Sequence, residues 1–125
     1  MSNQKKILIV EDEATLRHAL RDELKREKFI VLEAVNGENG LALAKEEHPD
    51  LILTDIVMPK MDGLTMLEEL RKDKWGKQAK IIILTVLNED KKVIDALDKG
   101  VYDYLIKADW KMEEVIKKIK AKLNN

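Results

Sequence analysis

The segment LILTDIVMPKMDGL, from Leu51 to Leu64, decides the fold. It begins as an apolar run of strand length, reaches Asp55, turns at Pro59 and Asp62-Gly63, and continues with leucines spaced as in an amphipathic helix. A buried strand that leads directly into a helix is the repeating unit of α/β proteins. The segment therefore predicts a strand–helix unit with an aspartate at the end of the strand.

Similar units extend on both sides of this segment. Apolar runs rich in branched residues are typical of strands buried on both faces of a sheet, and their strict alternation with helical patterns favours parallel strands joined by right-handed crossovers. We predict an α/β fold: a (βα)5 doubly wound, parallel five-stranded sheet. The predicted strands are ILIV (7–10), IVLEA (30–34), LILTD (51–55), IIILT (81–85) and YDYLI (102–106). The predicted helices carry the apolar sets Leu16, Leu20 and Leu24; Leu41 and Ala44; Leu64, Leu67 and Leu70; Val93, Ala96 and Leu97; and Val115, Ile116, Ile119 and Leu123.

Length and composition narrow the classes of protein. A chain of 125 residues that is 45% hydrophobic is expected to form one domain, residues 1–125. The lack of cysteine excludes thiolate metal sites and is typical of a reducing compartment, so we expect a cytoplasmic location. The apolar run at 7–10 is too short for a membrane span. A net charge of −1 provides no overall attraction for nucleic acid or anionic lipid, so we expect neither as a partner.

Acidic, hydroxyl and basic side chains follow the predicted strands at their carboxyl ends, where open parallel sheets bind ligands. Glu11 and Asp12 follow the first strand and Asp55 the third, while Thr85 ends the fourth and Lys107 follows the fifth. Neighbouring carboxylates repel one another without a cation, and oxygen ligands combined with phosphate chemistry favour Mg²⁺. A carboxylate can itself attack a phosphoryl group, so we predict that Asp55 is the nucleophile.

The whole chain resembles the receiver domain of two-component response regulators. The resemblance rests on VEDE at 10–13, DIVMPKMDG at 55–63, LTV around Thr85 and GVYDYLIK at 100–107, in the order and at the spacing of that family. It implies a flavodoxin-like strand order of 2-1-3-4-5. It also implies a phosphorylation-activated switch that uses Mg²⁺ and is no enzyme, apart from promoting its own phosphorylation and dephosphorylation.

The resemblance also implies a role for each site residue. Asp55 would be the phosphoacceptor and a metal ligand, Asp12 a direct Mg²⁺ ligand, Glu11 a ligand through water, and Val57 a ligand through its backbone carbonyl. The residues that would respond to the phosphoryl group are Thr85 and Lys107, which would contact its oxygens, and Tyr104, which would change rotamer with Thr85.

The partners follow from the same resemblance. A sensor histidine kinase, a phosphotransfer protein or a small phosphodonor would supply the phosphoryl group. Phosphorylation would re-form the face made by the fourth and fifth predicted helices and the fifth strand, and this face would control an effector domain, a partner protein or a phosphorylation-dependent homodimer. The chain stops directly after its last predicted helix, so it is either a stand-alone receiver or the excised part of a larger regulator.

Two positions depart from the family pattern. Ala108 stands where proline usually follows the lysine, so the Lys107–Ala108 bond is either trans with a redirected loop or a strained cis bond. Val57 and Leu87 are apolar and cannot position a hydrolytic water, so we predict a comparatively long-lived phosphoryl group. Loss of the label from the purified protein within seconds would count against this prediction.

Other interpretations compete with this one. Asp12 could simply cap the first helix. A phosphatase of the haloacid dehalogenase type needs a second aspartate where Val57 stands, and a flavodoxin needs a hydroxyl-rich loop where EDEAT stands at 11–15. A pseudo-receiver, which binds partners without being phosphorylated, is the main alternative, and the complete set of acids together with Thr85 and Lys107 favours the switch over it.

Overall fold

The computed structural model describes residues 4–56, 58–85, 103–106 and 111–124, with the backbone alone for Thr85 and for 103–106. The described strands form one parallel sheet of five strands in the order β2-β1-β3-β4-β5, which confirms the predicted order. The strands are β1 (Lys6–Val10), β2 (Ile30–Ala34), β3 (Leu51–Thr54), β4 (Ile81–Thr85) and β5 (Asp103–Ile106). The described helices are α1 (Ala14–Arg26), α2 (Gly37–Glu47), α3 (Gly63–Lys72), a 3-10 turn at Gly76–Gln78 and the C-terminal helix (Met112–Leu123).

Helices cover both faces of the sheet. Alternate residues along the central strands point to opposite faces, so each strand contributes to two separate hydrophobic clusters. One cluster joins Leu8, Ile52 and Ile81 to α2 and α3, and the other joins Ile7 and Leu53 to α1 and the C-terminal helix. This two-sided burial is why the strands are continuous apolar runs rather than alternating ones.

Polar side chains fix two of the helix starts. The carboxylate of Asp62 accepts a hydrogen bond from the backbone N–H of Thr65 at 2.7 Å, and the amide oxygen of Asn36 accepts one from the N–H of Asn39 at 2.8 Å. Both are N-cap bonds, which satisfy backbone donors at the first turn of a helix. Asn36 therefore caps the start of α2, and Asp62, in the predicted turn at 62–63, caps the start of α3.

The predicted elements agree with the structure, apart from their ends. β3 ends at Thr54, one residue earlier than predicted, because the chain leaves the sheet after the N–H of Asp55, where the Asp55 carboxylate accepts a hydrogen bond from the N–H of Ile56 at 2.7 Å. The fourth predicted helix, at Val93, Ala96 and Leu97, lies outside the described residues. Within the described parts of the chain, no helix combines the length and the apolar character that crossing a bilayer requires.

Candidate acidic site at the carboxyl edge of the sheet

The register of the two central strands brings the predicted acids together. Val10, the last residue of β1, pairs with Thr54, the last residue of β3, so Glu11 and Asp55 leave the sheet at the same level. The N–H of Asp55 donates to the carbonyl of Val10 at 3.1 Å, which extends the pairing one residue past the strand. Connections from these two strands run to opposite sides, which is where doubly wound sheets bind ligands.

Three carboxylates converge at this edge. Glu11, Asp12 and Asp55 each offer an oxygen, and these oxygens all lie within 4.8 Å of one another. Glu11 and Asp55 are 2% and 8% exposed, whereas Asp12 is exposed. Two carboxylates thus form the floor of the site and the third lies at its opening. Buried like charges at this distance are costly without a cation, so the donor set fits a hard divalent ion.

Hydrogen bonds orient the buried acids. The Oε2 atom of Glu11 accepts from the N–H of Glu13 at 3.1 Å, while the Oδ1 atom of Asp55 accepts from the N–H of Ile56. The N-cap of α1 is Glu13, whose side chain makes no capping bond, so Asp12 lies one residue before the cap and the interpretation of Asp12 as the helix cap is wrong. The side chain of Asp12 is left to face the opening.

The loop after Asp55 is held tightly against the site. The N–H of Gly63 donates to the carbonyl of Ile56 at 2.7 Å, and the N–H of Gly37 donates to the carbonyl of Met61 at 3.0 Å. Lys60 has a φ of 67° at the centre of a three-residue turn closed by a bond from Met61 to Pro59. These bonds tie the start of α3 and the start of α2 to the loop.

We expect Gly63→Ala to lower the free energy of unfolding by about 3 kcal/mol, the upper part of the usual range for overpacking. A Cβ atom at Gly63 would lie 2.1 Å from the carbonyl oxygen of Asp55, so α3 would have to move away from the site. Urea unfolding measures the change. Thr65→Ala, on the exposed side of the same helical turn, is the control and is expected to change stability by less than about 0.5 kcal/mol. A Gly63→Ala protein as stable as this control would contradict the close approach.

The remaining predicted site residues are described only in part. Thr85 ends β4 at the same edge and its backbone pairs with Ile106, but its side chain and that of Tyr104 are outside the described atoms. Lys107 follows β5 and lies outside the described residues. Val57, Leu87 and Ala108 also lie outside the described residues. The predictions for the Lys107–Ala108 bond therefore stay predictions.

The fold and this edge define an α/β domain of the flavodoxin-like class with an acidic site at the switch point between β1 and β3. A family model for the response regulator receiver domain matches residues 7–120. The chain belongs to this family, which confirms the resemblance: it is a receiver domain of the kind found in two-component response regulators.

Known proteins of two sizes are similar to this chain. The chemotaxis protein CheY of Bacillus subtilis is 38% identical over 120 residues, which are 95% of this chain and 98% of CheY. The transcriptional regulatory protein ResD of the same organism is 37% identical over 122 residues, which are 98% of this chain and 49% of ResD. The chain therefore spans nearly all of one relative and about half of the other.

Solved structures show the same fold. A CheY-like receiver domain protein from Methanospirillum hungatei JF-1 has a TM-score of 0.90 and 30% identity, with 98% of this chain and 95% of that chain covered. The receiver domain of the sensor histidine kinase PA1611 from Pseudomonas aeruginosa PAO1 has a TM-score of 0.89 and 25% identity, with 98% and 99% covered. In that second structure a magnesium ion is coordinated in the active site cleft.

Proposed function

We propose that residues 1–125 form one cytoplasmic receiver domain that accepts a phosphoryl group on Asp55. The observation that carries the proposal is the convergence of the Glu11, Asp12 and Asp55 carboxylates at the switch point of the sheet. The nucleophile would be a carboxylate oxygen of Asp55, which attacks the phosphorus of the donor. The bond from phosphorus to the donor breaks, and its electron pair leaves with the donor as imidazole or acetate.

The three carboxylates fit Mg²⁺, which Asp12 and Asp55 would bind directly and Glu11 through water, and the backbone carbonyl of Val57 would complete the protein ligands. When bound, this ion supplies the positive charge that offsets the phosphoryl oxygens. The magnesium ion in the PA1611 receiver domain supports the assignment. The residues proposed to contact the phosphoryl oxygens are Thr85 and Lys107, with Tyr104 as the residue whose rotamer follows Thr85.

We propose that the donors are a sensor histidine kinase, a phosphotransfer protein or a small acyl phosphate. A phosphoryl group adds close to two negative charges at the site, and this local change would shift the face formed by β5, the C-terminal helix and the fourth predicted helix. The output would act on an effector domain or partner protein, or through a phosphorylation-dependent homodimer. Direct contact with nucleic acid or a membrane is not part of the proposal.

The test is the intact mass of the protein after incubation with acetyl phosphate, with and without Mg²⁺. We expect a gain of one phosphoryl group only when Mg²⁺ is present. If no gain occurs, the protein is incubated with fluoroberyllate, which mimics the phosphoryl group on a carboxylate. Mg²⁺-dependent binding of this mimic would indicate a site that rejects small donors, whereas no gain and no binding would contradict the proposal and favour a pseudo-receiver.

A further inference from the structure

We propose that Arg17 is a positioning residue for the acidic site and that Glu33 holds it in place. Arg17 lies in the first turns of α1 and Glu33 lies on the edge strand β2, and neither belongs to the three acids proposed to bind the ion. The inference deepens the proposed function, because it concerns how the chain arranges its own carboxylates for Mg²⁺.

The guanidinium of Arg17 bridges two elements. Its Nη1 atom donates to the backbone carbonyl of Glu11 at 2.9 Å, and its Nε atom donates to the Oε1 atom of Glu33 at 3.2 Å. The side chain of Arg17 is only 12% exposed, so water competes weakly for these bonds. A planar group with several fixed donors can reach two acceptors at once, which a lysine ammonium at the same position cannot do in the same geometry.

The bond to Glu11 fixes the direction of two carboxylates. The carbonyl that Arg17 contacts belongs to the peptide group between Glu11 and Asp12, and a peptide group is planar. The N–H of Glu11 is already held by the carbonyl of Ala34 at 3.0 Å. With both sides of Glu11 held, this peptide plane cannot rotate freely. Arg17 therefore sets the points from which the Glu11 and Asp12 side chains leave the backbone.

Glu33 holds the guanidinium of Arg17 in the position from which it contacts the Glu11 carbonyl. A cation beside three carboxylates would otherwise be attracted towards them and would compete with a bound ion. The carboxylate of Glu33 offsets this charge and anchors the guanidinium to the edge strand β2. The Nη1 atom of Arg21, one turn further along α1, lies 3.8 Å from the other oxygen of Glu33, so Glu33 is held in turn. Positioning groups of this kind commonly change metal affinity by about tenfold or more when they are removed.

The test compares the dissociation constant for Mg²⁺ in wild type, Arg17→Lys and Arg17→Gln, measured from the chemical shifts of backbone amides near the site. Arg17→Lys retains the charge and loses the bridge, and we expect about tenfold weaker binding. Arg17→Gln loses both, and we expect binding weaker than wild type although a positive charge has been removed. Glu33→Gln is expected to weaken binding as well, and the double variant Arg17→Lys/Glu33→Gln to be no weaker than Arg17→Lys alone.

The outcomes separate positioning from a general effect of charge. Wild-type affinity in Arg17→Lys, or tighter binding in Arg17→Gln, would overturn the inference, because charge alone predicts both. The matched controls are Arg26→Lys and Arg26→Gln on the last turn of α1, where the arginine is 73% exposed and forms an ion pair with Glu23 of the same helix. These controls should bind Mg²⁺ as wild type does. Urea unfolding must show that each variant is folded. Arg17→Lys is the variant most expected to fold, because it keeps the charge and the aliphatic stem of the side chain.

A failure of the inference is distinguishable from a failure of the proposed function. If the wild-type protein itself shows no Mg²⁺-dependent shifts, the metal assignment fails and Arg17 has nothing to position. If the wild type binds Mg²⁺ and the Arg17 variants bind it equally well, only the positioning role fails.

Discussion

Asp55→Asn is expected to abolish the gain of a phosphoryl group from acetyl phosphate. Asp55 directly follows the central strand β3, and it lies at the floor of the site beside Glu11. An amide has nearly the same shape as the carboxylate, but it lacks the charge and nucleophilicity needed to attack phosphorus. The intact mass after incubation with Mg²⁺ and acetyl phosphate measures the effect, and the variant should remain at its unmodified mass.

Asp62→Asn is the matched control for this prediction. Asp62 lies in the same loop, but its carboxylate caps α3, and asparagine caps a helix about as well as aspartate. We therefore expect the control to gain one phosphoryl group as wild type does. Labelling of Asp55→Asn at the wild-type level, or loss of labelling in the control alone, would show that another residue is the acceptor.

Asp12→Asn is expected to change stability in opposite directions with and without Mg²⁺. Without the ion, removal of one of three carboxylates within 4.8 Å relieves repulsion, and the free energy of unfolding should rise by on the order of 1 kcal/mol. With the ion, wild type is expected to gain about 2.7 kcal/mol when Mg²⁺ is at a hundred times its dissociation constant, and the variant much less because it lacks the proposed direct ligand. Thermal unfolding at several Mg²⁺ concentrations measures both changes.

Asp22→Asn provides the comparison on α1. Asp22 is exposed, and its hydrogen bond with the Arg21 guanidinium lowers the pKa of the Asp22 carboxyl. The charged form of Asp22 is therefore favoured in the folded protein, and Asp22→Asn should not raise the free energy of unfolding without Mg²⁺. The stabilisation by Mg²⁺ should be the same as in wild type. An Asp12→Asn protein that is stabilised by Mg²⁺ as strongly as wild type would contradict the assignment of Asp12 as a ligand.

The sheet could be predicted because continuous apolar runs in the sequence indicate strands that are buried on both faces. The residues Leu51–Leu53 of β3 are all apolar, which is typical of a strand covered on both faces, and the predicted helices between the strands favour a parallel sheet. The exact ends were less predictable. The prediction includes Asp55 in the third strand because it directly follows the apolar run, but its side chain accepts a hydrogen bond from the N–H of Ile56, and such local bonds compete with sheet pairing.

The acids of the site could also be predicted, because residues that follow parallel strands meet at one edge. The difference in burial among these acids could not be predicted from the sequence. Glu11 and Asp55 are buried and Asp12 is exposed, and this depends on Glu13 rather than Asp12 beginning α1. Aspartate is the better cap in isolation, so local preference pointed to the wrong residue.

The link from Arg17 to Glu33 was missed for a different reason. The two residues are 16 positions apart, and they meet only because α1 lies against the edge strand β2. One signal was present: a basic residue in the first turns of a helix opposes the helix dipole, which indicates a specific acidic or carbonyl partner. The close approach of Gly63 to Asp55 likewise depends on the packing of α3 and not on the local pattern.

The central claim is that Asp55 carries the phosphoryl group. Borohydride reduces an aspartyl phosphate to homoserine with release of phosphate, so the modified position can be read by mass spectrometry of peptides from wild-type protein. We predict homoserine at position 55 alone, and only in protein incubated with both acetyl phosphate and Mg²⁺. Homoserine at Asp12 or Asp62, or a stable phosphate on another residue type with position 55 unchanged, would contradict the account.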